Sequence, residues 1–185
     1  MLGVEECALA MKRGILMLAL ALGAGVCVAQ MPVGEHDHMA AKSSVPSTSL
    51  VVTVEGKTAT LSLADLQAMP QTTVAVKNGH SGGKETYTGV AVGDLLARYG
   101  FAYESATAKR VYHSYVKAEG ADGYWVLYSG SELEGALRET GAVIALAVDG
   151  KPLGGEGAFK IVIAGERKPA RWVRNLKALT VVTVD

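Results

Sequence analysis

The sequence has little cysteine. Its 185 residues include only Cys7 and Cys27, so no thiol follows position 27. This absence excludes a disulfide framework, a zinc–cysteine site and a cysteine nucleophile from the later part of the chain. A site that needs a thiolate can therefore not be built from residues 28–185.

The chain also has no excess of charge of either sign. Lys and Arg together number 18, Asp and Glu together number 18, and the formal net charge is zero. Proteins that bind nucleic acids carry an unbalanced basic surface, so the sequence does not indicate this class. No H-E-x-x-H motif occurs either, so a zinc metalloprotease is not indicated.

Long apolar runs are absent except near the N-terminus. From Met11 the chain reads MKRGILMLALALGAGVCVAQ, with two positive charges, an apolar run over 14–26 and small residues before Gln30. This order is typical of a secretory signal peptide. The run is shorter than a membrane-spanning helix, which needs about 20 residues. We therefore expect no membrane span in the mature chain.

The predicted signal peptide covers residues 1–29, with cleavage near Ala29. The two glutamates at positions 5 and 6 do not suit its positively charged start, so we expect translation to begin at Met11. The protein would then be periplasmic or secreted. A lipid anchor on Cys27 is the alternative, which the bulky Val26 before the cysteine disfavours.

Residues 30–49 are rich in small and polar side chains and contain two prolines, which is typical of a flexible linker. Within it, His36 and His38 stand beside Asp37 and Met39. Imidazoles and carboxylates suit copper or nickel ions, so one interpretation is a metal-handling protein that uses this tail. The other interpretation is a solvated tail without fixed geometry.

From Leu50 onward the chain shows many short β-branched runs and few helical patterns. The patterns predict strands at 50–54, 58–61, 72–76, 110–117, 124–129, 143–148, 159–164 and 180–184. Helices are predicted at 63–69, at 92–99 and from 131 to about 139, with a helical or irregular basic stretch at 170–176. Strands and helices do not alternate regularly, which indicates an α+β fold.

Five segments of this region, taken in their order, resemble the molybdopterin-binding domain of the sulfite-oxidase-type oxidoreductases, in particular its small exported single-domain members. They are VTVEGKTATLSLADLQAMP, TYTGVAVGDLLARYG, ADGYWVLYS, VDGKPL and FKIVIAGERKPARWVRNLKALTV. The resemblance implies one domain over 50–185, an α+β fold of mixed or antiparallel sheets with short helices, and a molybdenum–molybdopterin cofactor. It further implies two-electron or oxygen-atom transfer on a small-molecule substrate, with a redox partner protein.

The family holds its metal partly through a cysteine thiolate, whose position falls here at about Lys77 and Asn78. Neither residue replaces a soft, charged sulfur donor. The glycine-flanked loop NGHSGGKETYTGV (78–90) offers His80 as a substitute ligand or catalytic residue. Otherwise water or hydroxide completes the metal shell, or this branch has lost the cofactor.

The resemblance also indicates cofactor-binding residues. Asn78 would lie beside His80 on the metal side, while Asp122, Tyr124 and Arg171 would face the pterin or the substrate. Each has a simpler interpretation, because Asn and Asp form turns and a guanidinium defaults to surface charge. Arg171 would offer an anion a planar fork of donors.

Two further expectations concern aromatic and imidazole side chains. His113 is predicted to lie in the middle of a strand as a hydrogen-bonded sheet residue, and Trp125 and Trp172 are predicted to pack in the core. Together the patterns leave two main functions open. One is a molybdopterin-dependent oxidoreductase, and the other is a non-catalytic module of the same fold that binds a small anion or a protein.

Overall fold

The computed structural model describes residues 45–78, 82–135 and 141–184. Those residues form ten strands, four α-helices and two 3-10 turns. The strands are β1 (Ser49–Val54), β2 (Lys57–Ser62), β3 (Thr72–Lys77), β4 (Lys84–Ala91), β5 (Ser114–Gly120), β6 (Trp125–Ser129), β7 (Ala142–Val148), β8 (Lys151–Pro152), β9 (Lys160–Ile163) and β10 (Leu176–Thr183). The helices are α1 (Leu63–Gln67), α2 (Val92–Ala97), α3 (Ala108–Tyr112) and α4 (Gly130–Glu134), and the 3-10 turns are Gly154–Glu156 and Pro169–Arg171.

The strands form two five-stranded sheets. The first has the order β2-β1-β10-β5-β6, and the second has the order β3-β4-β7-β8 with β9 also on β7. In the first sheet β1 and β10 run parallel while every other pair is antiparallel. The second sheet is antiparallel throughout the pairs described. The short helices lie between strands, so the predicted α+β class with mixed and antiparallel sheets is confirmed.

The main core lies between the two sheets. Strand β1 shows why, because Leu50, Val52 and Val54 are buried while the residues between them are half-buried. These side chains join one cluster with Ile144 and Ile161 of the second sheet. A buried aliphatic side chain contributes about 1.5–3 kcal/mol to folding, so this alternation fixes which face of the sheet points inward.

A second, smaller cluster covers the other face of the second sheet. It contains Val74, Tyr87, Val162 and Trp172, all buried. The predicted packing of Trp172 is therefore confirmed. The outer face of the first sheet has no such cluster among the described residues, since its side chains on β1 and β5 are half-buried rather than buried.

Several local predictions are confirmed by side-chain contacts. Ser62 caps α1 by accepting from the backbone N–H of Asp65, and the Asp65 carboxylate accepts from the backbone N–H of Ser62 at 2.8 Å. The hydroxyl of Ser62 is the largest cause of the lowered pKa of Asp65. The turn after β7 is tight, with positive φ at both Asp149 and Gly150, as the Asp-Gly pair predicts.

The predicted strand over 110–117 was wrong in its first half. Residues 108–112 form α3, and His113 closes that helix instead of lying within a strand. The alternation of V-Y-H-S-Y imitates a strand, but the fully buried Val111 and the hydroxyl of Ser114, which donates to the carbonyl of Arg110 at 2.6 Å, favour the helical turn. Strand β5 begins only at Ser114 and runs on to Gly120.

Other predicted boundaries also differ. Helix α4 is capped by Ser129 and ends at Gly135, whose φ of 94° stops it, whereas the sequence pattern placed the cap at Ser131 and the end near 139. Strand β10 begins at Leu176, four residues early, because its first half pairs with β1 and β5. Trp125 was predicted to be buried and is 53% exposed, on an edge strand of the first sheet.

Some expectations fall on residues that the structure does not describe. They are the signal peptide over 1–29, the tail with His36 and His38, and His80. At the start of the described part, the backbone N–H of Ser47 donates to the side chain of Asn175 at 2.6 Å. Among the helices of residues 45–78, 82–135 and 141–184, none is long and apolar enough to cross a membrane.

The close approach of β4 and β7 generates a prediction about Gly89. The register shifts between Thr88 and Gly89, and a Cβ on Gly89 would lie 1.9 Å from the carbonyl oxygen of Ile144. Backbone cannot yield as a flexible side chain does, so Gly89→Ala is expected to lower the free energy of unfolding by about 3 kcal/mol or more.

The matched control is Gly155→Ala, since a Cβ there meets nothing within 4 Å. We expect that control to stay within about 0.5 kcal/mol of the parent in urea unfolding. Equal stability of the two variants would contradict the register shift.

Candidate functional site

Three of the predicted cofactor residues meet around the loop over 165–171, which follows β9. The hydroxyl of Tyr124 donates to the carbonyl oxygen of Ala170, and the hydroxyl of Tyr128 donates to the carbonyl oxygen of Arg171. Asp122 lies in the turn before β6, where its carboxylate accepts from the backbone N–H of Tyr124 at 3.0 Å. The turn that holds Asp122 and Tyr124 is thus joined to the loop that carries Arg171, while a role of these residues in binding a cofactor stays a prediction.

The guanidinium of Arg171 is occupied by two carboxylates. It contacts Glu132 of α4 at 2.9 Å and Glu166 of the loop at 2.9 Å. It also lies over the ring of Tyr128, 4.7 Å from its centroid. The hydrogen bond to Glu132 raises the pKa of Arg171, against a smaller opposing effect of burial. These three charged groups carry one negative charge between them, so they do not attract an anion.

Burial governs the neighbouring phenol. Removal of its hydroxyl from water raises the pKa of Tyr128, while the positive charge of Arg171 opposes the shift. The phenol therefore stays protonated at neutral pH and donates its proton to the loop carbonyl. It acts as a clamp between β6 and the loop rather than as an acid or base.

An open cleft of about 670 Å³ lies along the same loop. Its lining consists of Gly165, Glu166, Arg167, Lys168, Ala170 and Arg171. The cleft is thus open to solvent. Two of its lining cations, Arg167 and Lys168, are exposed, and the third, Arg171, is already paired with Glu132 and Glu166.

Asn78 shapes the loop that follows β3. Its backbone N–H donates to the carbonyl oxygen of Gly83, and its own carbonyl oxygen accepts from the N–H of Gly82, both at 2.8 Å. Its amide donates to the carboxylate of Glu85 at 2.5 Å. The turn-forming interpretation of Asn78 therefore accounts for all these contacts, and His80 lies in the part of the loop outside the described residues.

The same loop contains a sequence match to a hydrolase motif, but the elements on either side of it differ from those that the motif requires. Residues 79–83 read G-H-S-G-G, which matches the G-x-S-x-G of α/β-hydrolases. That motif presents its serine on a sharp turn from a strand to a helix. Here the flanking elements are β3 and β4, which pair as an antiparallel hairpin, so the motif is not followed by the helix that this context requires.

The structure reveals one site that the sequence analysis missed, centred on Lys160. This side chain is 6% exposed, and its ammonium lies 2.8 Å from Glu156 and 3.0 Å from the hydroxyl of Tyr87. It also faces the rings of Tyr87 and Trp172, with centroids at 4.8 and 5.5 Å. The sequence contains the pattern that could have indicated this site, which is a lysine inside the apolar run A-F-K-I-V-I. When such a strand is buried, the lysine must find polar partners.

This site joins the Asn78 loop through a chain of hydrogen bonds. The hydroxyl of Tyr87 donates to Glu85 at 2.8 Å, and Glu85 accepts from Asn78 through its other oxygen. Burial, followed by the bond to Glu85, raises the pKa of Tyr87. Glu156, Lys160, Tyr87, Glu85 and Asn78 thus form one continuous polar chain with a fixed proton on the phenol.

The described side chains do not fit a molybdenum–pterin group. No thiol follows position 27. In the described ranges no group of three His, Cys, Asp or Glu side chains is placed to hold a metal ion. Asn78, Asp122, Tyr124 and Arg171 each have a polar partner within the chain. A cofactor at these residues would have to displace contacts that already satisfy them.

Comparisons with known proteins give one similarity, which concerns the fold. No protein-family model matches the chain, and no curated protein matches it. Among solved structures it is similar to the crystal structure of the sulfane dehydrogenase SoxCD from Paracoccus pantotrophus, with a TM-score of 0.56 and 18% identity. The match covers 74% of this chain and 38% of that chain. This likeness shows the fold alone.

The paired guanidinium yields a prediction for Arg171→Met. Loss of the cation leaves Glu132 and Glu166 close together without the charge that lies between them, so we expect about 2 kcal/mol less stability at neutral pH. The deficit should narrow as salt is added, because salt screens the repulsion between the two carboxylates.

Arg174→Met is the matched control, since this arginine is exposed and lies three residues away. The free energy of unfolding of both variants is measured in urea at pH 7, at low and at high salt. An Arg171→Met variant that is as stable as the control at pH 7 would contradict the structural role of the ion pairs.

The buried ammonium yields a second prediction. Lys160→Met removes the charge that balances Glu156 and the donor to Tyr87, so we expect a loss of about 3 kcal/mol. The double variant with Glu156→Gln should lose less than the sum of the two single variants, because neither charge is then left alone. Strict additivity in urea unfolding would show that the two groups do not interact.

Proposed function

We propose that this chain is an exported, non-catalytic binding domain built on the fold of sulfite-oxidase-type molybdopterin-binding domains. One observation carries the proposal, which is the engagement of Arg171 by Glu132 and Glu166. Glu132 and Glu166 each accept from one terminal nitrogen of this guanidinium and together outweigh its charge, so the group of three is net negative and disfavours a phosphate or an oxyanion substrate. The absence of a thiol after position 27 supports the same conclusion from the chemistry of the metal.

The groups that remain available favour a protein as the ligand. Tyr124, directly before β6, and Trp125 and Leu127, within β6, are each about half exposed. Large aromatic side chains and arginine are enriched at the centres of protein interfaces. Arg167 and Lys168 add exposed positive charge on the adjoining loop. A partner protein can cover the exposed aromatic side chains with apolar contacts, whereas a small anion cannot.

A molybdopterin-dependent oxidoreductase is the second candidate, and the fold similarity to a sulfane dehydrogenase favours it. In that case the protein would carry out two-electron or oxygen-atom transfer at a molybdenum–molybdopterin cofactor. His80 and Asn78 would lie on the metal side, with Asp122, Tyr124 and Arg171 on the pterin or substrate side. The ion pairs of Arg171 would then have to open to admit the cofactor.

Metal and pterin content separates the two candidates. The protein is purified from a host that makes the molybdenum cofactor, and it is analysed for molybdenum and, after oxidation, for pterin fluorescence. We expect neither at stoichiometric amounts, because the described side chains are committed to each other. The variant Asn78→Cys restores a thiol near the family's ligand position and should remain free of molybdenum for the same reason.

Stoichiometric molybdenum with pterin would contradict the proposal. The variant His80→Ala then identifies the altered ligand set, since its loss of metal would place the imidazole on the molybdenum. A sulfite-oxidase-type protein from the same host serves as the positive control for cofactor supply.

A further inference from the structure

We propose that the edge of β6 that no described strand covers binds an extended, acidic segment of a partner protein as an added antiparallel or parallel strand. This inference rests on the proposed binding function and names the surface and the class of partner. Strand addition uses main-chain hydrogen bonds for affinity and alternate side chains for specificity. Three properties of β6 support it, which are its backbone, its exposed side chains and the charge beside it.

The backbone of β6 has N–H and C=O groups that point away from β5. Among the described strands β6 pairs only with β5 and ends the first sheet. The N–H of Gly120 donates to the carbonyl oxygen of Tyr124 at 2.8 Å. In an antiparallel pair the direction of the backbone groups alternates by residue, so Val126 also faces β5. Trp125 and Leu127 then direct their N–H and C=O groups toward the open edge.

The exposed side chains of β6 lie on the uncovered face of the first sheet. Trp125 is 53% exposed and Leu127 is 47% exposed, while Tyr128 on the opposite face is buried. Natural edge strands are protected by proline, by charged side chains or by a bulge. The segment W-V-L-Y-S has no proline and no charge, and its register with β5 is regular. An unprotected edge of this kind is suited to pairing.

The charge beside this edge selects an acidic partner. Lys117 and Lys177 contact the same carboxylate of Glu119, at 2.8 and 2.7 Å, so the three groups leave one positive charge unbalanced. The ammonium of Lys117 lies 5.6 Å from the ring centroid of Trp125. A second copy of this chain would bring the same positive charge to the edge, and complementarity therefore favours a different, acidic protein.

The loop over 165–171 extends the positive region. Tyr124 joins it to the start of β6 through the carbonyl oxygen of Ala170. Arg167 and Lys168 are exposed on that loop. Cations thus lie near both the face and one end of the strand. Because successive side chains of a strand point to opposite faces, an added segment with alternating acidic and apolar residues can place all its acidic side chains on the face of Trp125 and Leu127, where Lys117 lies.

The test uses two peptides of the same length, one alternating Glu with Val and the other alternating Lys with Val. Binding to the purified chain is followed by backbone amide NMR, with the fluorescence of both tryptophans as a second readout. We expect saturable binding of the acidic peptide only, with the largest amide shifts at Trp125 and Leu127. The affinity should fall as salt is added, because the attraction is partly electrostatic.

A proline substitution separates backbone pairing from side-chain contact. Leu127→Pro removes an N–H that faces the edge, and proline is tolerated on an edge strand when that N–H faces solvent. Leu127→Ala loses the side chain alone and is the matched control. We expect the proline variant to bind the acidic peptide at least about tenfold more weakly than the alanine variant. Thermal unfolding of both variants verifies that they fold.

The variant Lys117→Gln gives an independent reading of the charge. We expect this variant to bind the acidic peptide about threefold more weakly, and we expect its affinity to depend less on salt concentration. Equal binding of the acidic and basic peptides would overturn the inference, as would equal binding by the proline and alanine variants. Either failure leaves the metal and pterin content unchanged, so it is distinguishable from failure of the proposed function.

Discussion

The arrangement of the candidate site depends on one guanidinium that is held by two carboxylates. Arg171 ties the loop over 165–171 to α4 through Glu132, while Tyr128 of β6 holds the same loop by its carbonyl oxygen. Without this cation, Glu132 and Glu166 would lose the positive charge that lies between them. The interaction stabilises the loop. It also compensates the positive charge of Arg171, which would otherwise be the most suitable group for binding an anion.

The second half of the site follows the same logic. Lys160 is buried in a strand of the second sheet, and an ammonium can be buried only with its charge balanced and its protons bonded. Glu156 and Tyr87 meet both needs, and the chain of hydrogen bonds continues through Glu85 to Asn78. The polar groups that a cofactor would contact therefore satisfy one another, whereas the apolar groups of β6 remain exposed.

Much of the fold could be predicted because local signals agreed with tertiary packing. The alternation in β1 and the capping box of Ser62 depend on neighbours in sequence, so the pattern contains the whole reason. The failures arose where distant contacts decide. Residues 108–112 alternate like a strand but form a helix because Val111 must reach the core. Trp125 was expected inside because its size suggests burial, yet nothing among the described residues covers its face of the sheet.

The resemblance named Asp122, Tyr124 and Arg171 as cofactor-binding residues, which stays a prediction, and it did not indicate the contacts that these residues make within the chain. A sequence does not show that Glu132 and Glu166, thirty-nine and five residues from Arg171, share its guanidinium. NMR of that guanidinium during titration with phosphate and molybdate tests this most directly. The account predicts no saturable shift of the Arg171 side-chain signals with either anion. A saturable shift, with loss of the contacts to both glutamates, would contradict it.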